Sequence, residues 1–197
     1  MRRLQFVSTK VHCALCVCLL GLLAACAGSE KFYRLSASEA SPTRGASSGL
    51  AVGVGPVSLP SYIDRVEVVF ASGSNEFQVP ADALWIGSLR ENISRTVAAD
   101  LGRILHSRNV RATIEPGFKP RYRVALEVRQ FHGVSGQEAM LDLSWKIQSG
   151  GSGQTVSRHS GTFREPIVGD GYAPLVKAES RLLEQCAQAI AVSLRGR

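Results

Sequence analysis

The chain has 197 residues, a formal charge of +7, and 45% hydrophobic against 20% charged residues. That length supports one sizeable core, and the apolar content excludes a chain that stays unfolded for want of burial. The Lys and Arg residues do not gather into a stripe interleaved with aromatics, so nucleic acid is excluded as a partner.

At the start, Arg2, Arg3 and Lys10 form a positive, acid-free segment, followed by an almost unbroken apolar run from Val11 to Leu23. A bilayer core needs about 20 apolar residues, and His12, Gly21, Ala24 and Ala25 leave this run too short to span. It has the pattern of a signal peptide. Leu23-Ala24-Ala25-Cys26 matches the bacterial lipobox, in which the cysteine thiol takes a diacylglycerol and the chain is cut before it. The expected organisation is therefore a leader over 1–25, a lipidated tether over 26–30 and one α+β domain over 31–197. No cofactor is expected beyond the covalent lipid on Cys26. Ala27, rather than Asp, follows the cysteine, which favours the periplasmic face of the outer membrane over retention at the inner one.

Processing changes the arithmetic. The leader carries three positive and no negative side chains, so the formal charge falls from +7 to +4. Cys13, Cys16 and Cys18 lie in the leader, and their C-x-x-C pattern is neither a zinc site nor a redox motif in the mature chain. Cys186 shares a spacing of four with Leu182, Ile190 and Leu194, the mark of a small core residue.

Lys31 to Leu35 reads as a short strand, and Ser36 to Gly49 as a Ser/Ala/Gly-rich loop. Leu50 to Val57 is a second strand, broken by Leu59-Pro60, and Arg65 to Phe70 a third. Asp82 is a candidate N-cap for a long helix, with Ile86, Leu89, Ile93, Val97, Leu101 and Ile104 as its apolar stripe. Val110 to Pro116 is a further strand. Alternation then predicts strands through Tyr122–Val128 and Ala139–Ile147, and Ser149-Gly-Gly-Ser-Gly153 predicts a hairpin connection to a more polar edge strand over Thr155–Glu165. Asp170-Gly171 opens the last helix, whose stripe runs Leu175, Ala178, Leu182, Cys186, Ile190, Leu194 and which tolerates Pro174 in its first turn. Segregated strand runs favour an α+β fold, a mainly antiparallel sheet with two long amphipathic helices packed on one face.

Patterns that would carry catalysis lack their context. Gly45 to Gly49 fits G-x-S-x-G but sits in a linker rather than on a strand-to-helix turn. Gly53-Val-Gly55 is followed by Pro56 and by no helix N-terminus that could hold a pyrophosphate. No Walker A loop occurs, and His106, His132 and His159 have no metal-ligand neighbour at helical spacing. Asn92-Ile-Ser94 is a glycosylation sequon placed mid-helix. A non-enzymatic role is expected. Val57 to Arg65 stands out: it is either a plain turn, with Pro60 ending a strand, Tyr62 packing and Asp64 pairing with Arg65, or a partner-contact loop that carries an aromatic and both charges on a rigid frame.

The lipobox, Phe32-Tyr33-Arg34-Leu35, the Val54 to Arg65 stretch, Trp85 with Leu89, Leu141-x-Leu143-Ser144-Trp145 and the closing Tyr172 to Ser180 helix together resemble the PqiC-like lipoproteins, auxiliary components of ABC-type transport systems. The resemblance covers nearly all of the mature chain. Val66 stands where that family commonly has proline after the Asp-Arg pair, and Trp85 lacks the usual charged and proline neighbours before Leu89. The resemblance implies an outer-membrane lipoprotein that works with a periplasmic MCE-domain protein in lipid transport, at the inner leaflet of the outer membrane and in a possible homo-oligomer. It points to Pro60, Tyr62, Asp64, Arg65 and Trp85 as partner contacts. The rivals are an envelope-assembly lipoprotein without a transport role and a lipid hydrolase.

Overall fold

The computed structural model describes residues 29–39, 49–73, 75–112, 117–134 and 136–195. The leader, Cys26 and positions 45–48 of the G-x-S-x-G stretch lie outside these residues. Contacts divide the chain into Met1–Glu30 and Lys31–Arg197, and the fold is that of the second unit.

Its centre is a five-stranded sheet in the order β6-β2-β7-β8-β9. Three strands of alternating sequence, β7 (Tyr122–Gly133), β8 (Glu138–Ser149) and β9 (Thr155–Pro166), form an antiparallel meander. The glycine-rich stretch closes the β8–β9 hairpin, with Gly153 at φ +71°, where a side chain would be strained. β2 (Val52–Ser58) breaks the pattern, running parallel to both β6 (Val110–Ala112) and β7. The fold is α+β as expected, and its sheet is mixed, a long antiparallel meander joined to a shorter parallel part, because a helical crossover between β2 and β6 returns the chain in the same direction. Two small sheets flank it: β1 (Lys31–Tyr33) parallel to β5 (Ala83–Trp85), and β3 (Phe70–Ala71) antiparallel to β4 (Phe77–Gln78). The strand expected over Arg65–Phe70 is reduced to a bridge at Glu67 and the two residues of β3.

Two helices cover one face: α1 (Leu89–Ile104) lies on β2 and β6, α2 (Tyr172–Arg195) lies on β8 and β9, and the two pack on each other. Leu89, Ile93, Val97 and Leu101 are buried from α1, and Leu175, Ala178, Leu182, Cys186, Ile190 and Leu194 from α2. They meet Ala139, Leu141, Leu143, Trp145 and Ile147, the buried alternate residues of β8. Each large apolar side chain removed from water here contributes about 1.5–3 kcal/mol. Gly133 lets α2 approach, since a Cβ there would lie 2.4 Å from Leu175 Cδ1 and 2.7 Å from Ile167 Cδ1.

The start of α1 departs from expectation. Asp82 is not its N-cap; it precedes β5, and the helix begins at Leu89 after Ser88, whose side chain makes no capping bond. Asn92 does the tying instead, its Nδ2 donating to the carbonyls of Ile86 (2.8 Å) and Ser88 (3.0 Å). The sequon asparagine is thus a buried structural residue. At the other end His106 adopts φ +51° and ends the helix, with Ser107 N donating to Gly102 O.

Candidate functional site

The Val57 to Arg65 stretch leaves β2 at the end of the sheet where α1 begins. Pro60 stops the strand, and its carbonyl accepts from the backbone N–H groups of Ile63 and Asp64, both at 3.2 Å, closing a tight turn. Ile63 is buried and holds the turn to the core, while Ser61, Asp64 and Arg65 are exposed.

The expected local pair between Asp64 and Arg65 does not form. Arg90, in the first turn of α1, grips both carboxylate oxygens of Asp64, with Nε donating to Oδ1 at 2.9 Å and Nη2 to Oδ2. Its remaining nitrogen, Nη1, donates to the Val57 carbonyl at 3.2 Å, so one guanidinium ties both ends of the loop to the helix. Such two-pronged contact fixes orientation as well as charge. The bonds from Arg90 hold the Asp64 carboxyl below its ordinary value and raise the guanidinium in turn. Arg65 turns away and bonds Glu67 through Nε at 2.8 Å.

Tyr62 belongs to an aromatic group that the sequence did not disclose. Its ring lies 5.0 Å from that of Phe77 and 5.8 Å from that of His132, and Phe77 and His132 are 5.1 Å apart. The Tyr62 hydroxyl and His132 Nδ1 are 3.0 Å apart, with the phenol donating when that nitrogen is unprotonated. Burial raises the Tyr62 phenol and lowers the His132 imidazole. His132 was hidden because a register shift between Val128 and Gln130 breaks the alternation of β7 and leaves both Phe131 and His132 buried. Phe77, 43% exposed, is the outer member of the group.

Trp85 is not brought to this surface. It is 5% exposed and faces the core from β5, supporting the loop's following segment through its backbone N–H to Val66 O at 2.7 Å. The surface thus brings together Pro60, Tyr62, Asp64 and Arg65, adds Phe77 and Arg90, and leaves Trp85 behind it. A cleft of about 300 Å³ opens beside Arg90, between Pro56 to Ser58 and the outer side chains Glu127 and Lys146.

Among the described residues no group of three or more His, Cys, Asp and Glu could hold a metal ion. Cys186 is buried, and burial pushes its thiol up to about 12, far from a reactive thiolate. Among the same residues no helix is long and apolar enough to cross a membrane.

A lipid-anchor motif in the sequence is followed by a mixed sheet that two helices cover and that carries a braced, solvent-facing loop. The family described as ABC-type transport auxiliary lipoprotein component matches residues 33–191, and the chain belongs to it. Two solved structures share the fold. One, a crystal structure of an uncharacterized protein, is 20% identical with a TM-score of 0.70, covering 85% of this chain and 99% of that one. Another, a protein from Xanthomonas campestris, is 19% identical with a TM-score of 0.62, covering 82% and 92%. Comparison with curated proteins gives no match.

Proposed function

We propose that this protein is a non-catalytic lipoprotein, acylated on Cys26 and held at the periplasmic face of the outer membrane, where it receives the periplasmic MCE-domain protein of an ABC-type lipid transporter. Membership of the transport auxiliary family supports the system, and the loop over Pro60–Arg65, held open to solvent by the Asp64–Arg90 fork, supports the contact. That fork carries the reading. A loop of this composition would otherwise sample many conformations, and ordering it on binding would cost affinity. The protein's part is positional: lipid passes between apolar environments, and the energy comes from an ATPase elsewhere, since this chain has no Walker A loop.

The test is crosslinking in the intact envelope from a photoreactive residue in place of Ser61. An adduct with the MCE-domain protein is expected, and Arg90→Ala is expected to weaken it while the domain stays folded, because an exposed ion pair contributes only about 0.2–1 kcal/mol. Full crosslinking in the Arg90→Ala protein, or no adduct from position 61, rejects the loop as the contact.

A further inference from the structure

The small sheet of β1 and β5 has an apolar outer face on which Phe32 and Ile86 are exposed among the described residues. Phe32 and Leu84 are register partners on the two strands. Pairing continues through Ile86 N to Tyr33 O at 2.7 Å. Ala83 and Trp85 point into the core, so by the twofold alternation of a strand Leu84 and Ile86 point out, beside Phe32. Phe32 is 57% exposed and Ile86 52%, while Leu84 is half-buried between them and faces Glu67, its antiparallel bridge partner, at the edge of the group. Scattered single apolar residues on a surface need no account, but a contiguous group on one sheet face does.

Where the chain enters this face decides what covers it. β1 is the first strand of the domain, beginning at Lys31, and Lys31 N is bonded to Asp82 O at 2.7 Å, so the entry point is fixed to the patch itself. Five steps of chain separate Lys31 from Cys26, and a fully extended chain covers about 3.3–3.6 Å per residue, so Phe32 is confined to within roughly 20 Å of an acylated sulfur. We infer that the Phe32–Leu84–Ile86 face is a bilayer contact, seated in the interfacial layer of the membrane that holds the lipid anchor. The inference rests on acylation of Cys26, as proposed above. An aromatic ring with aliphatic neighbours suits that layer, where apolar side chains replace water by lipid at shallow depth. Charge does not drive the contact: beside the patch Lys31, Arg34 and Arg65 are offset by Glu30, Asp82 and Glu67, and Arg65 and Glu67 are bonded to each other. The seating is therefore insensitive to salt. It also sets the orientation of the domain, which attachment at one point would leave free.

The experiment uses the mature acylated protein in vesicles of phosphatidylethanolamine and phosphatidylglycerol, with an environment-sensitive fluorophore on Phe32→Cys, on Ile86→Cys, or on Ser160→Cys of the uncovered sheet face as reference. Cys186 is buried and stays unlabelled. Labels at 32 and 86 are expected to be severalfold less accessible to iodide than the label at 160, to be quenched by a lipid nitroxide placed near the headgroup, and to stay so in high salt. Equal iodide access at all three positions, in protein that carries its acyl mass and floats with the vesicles, overturns the inference and leaves the anchor intact. Shielding that appears only when the MCE-domain protein is added assigns the face to that partner instead and equally overturns it. Protein without acyl mass that fails to float removes both the inference and the anchor on which it rests.

Discussion

The carboxylate of Asp64 binds a guanidinium 26 positions further along the chain, and that distance is why the pairing was not legible in the sequence. Adjacent opposite charges suggest a local pair, but Arg65 and Asp64 point apart around the turn and each finds another partner. Hydrogen bonds from Arg90 lower the Asp64 carboxyl, so the contribution of this pair is present above the ordinary carboxyl value of 3.8 and is lost only in stronger acid. His132 behaves differently. Burial lowers its folded-state value below the ordinary 6.5, so the unfolded chain takes up the proton first as pH falls. The stability linked to His132 is complete above its ordinary value and declines as pH drops through and below it. Tyr62 is the titratable group placed against it, and it stays neutral throughout this range because burial raises its phenol. Thermal unfolding is expected to show a loss in midpoint between about pH 7.5 and about pH 5 that is smaller in His132→Gln, which cannot gain the charge. An identical pH profile in the two proteins excludes His132 as the source.

At the scale of elements, periodicity made the regular parts plain. The stripe of α1 from Leu89 onward, the stripe of α2, the alternation in β8 and in β7 as far as Val128, and the glycine-rich hairpin lie where spacing put them, whereas Ile86, expected to open the α1 stripe, precedes the helix and is exposed. The irregular parts escaped for physical reasons: α1 starts late because residues 83–85 are drawn into pairing with β1, and β2 is an inner strand because two segments more than fifty positions away flank it. Of the candidate site, the loop could be located but not its brace or its aromatic neighbours. One residue in α2 contradicts its own pattern. Glu179 is 1% exposed among apolar neighbours, Oε2 has no hydrogen-bond partner, and burial raises the carboxyl well above its ordinary value. A raised acid favours the folded state at low pH, and that advantage is lost as pH rises above the ordinary value of 4.5. Glu179→Met is expected to stabilise the domain by about 1–3 kcal/mol near neutral pH, with a smaller gain in acid. Denaturant unfolding at two pH values measures it, and a variant less stable than the parent at neutral pH would show that the carboxyl has a partner in solution.

For the whole molecule, the family sets the class of system, and the anchor proposed on Cys26 would set the place. Acylation makes a plain prediction of mass: the mature chain begins at Cys26 and carries diacylglycerol, and Cys26→Ser leaves the leader attached and the lipid absent. Intact-mass measurement of protein extracted from membranes checks both, and an unmodified mature chain starting elsewhere refutes the anchor. The mixed sheet has a consequence for how such a chain matures. The strands that flank β2 are Val110–Ala112 and the one beginning at Tyr122, so its sheet pairing waits for the later half of the chain. In a polypeptide delivered amino-end first, β2 thus stays outside the sheet until most of the remainder has arrived, so the acylation proposed for Cys26 has an interval in which to run before the domain closes.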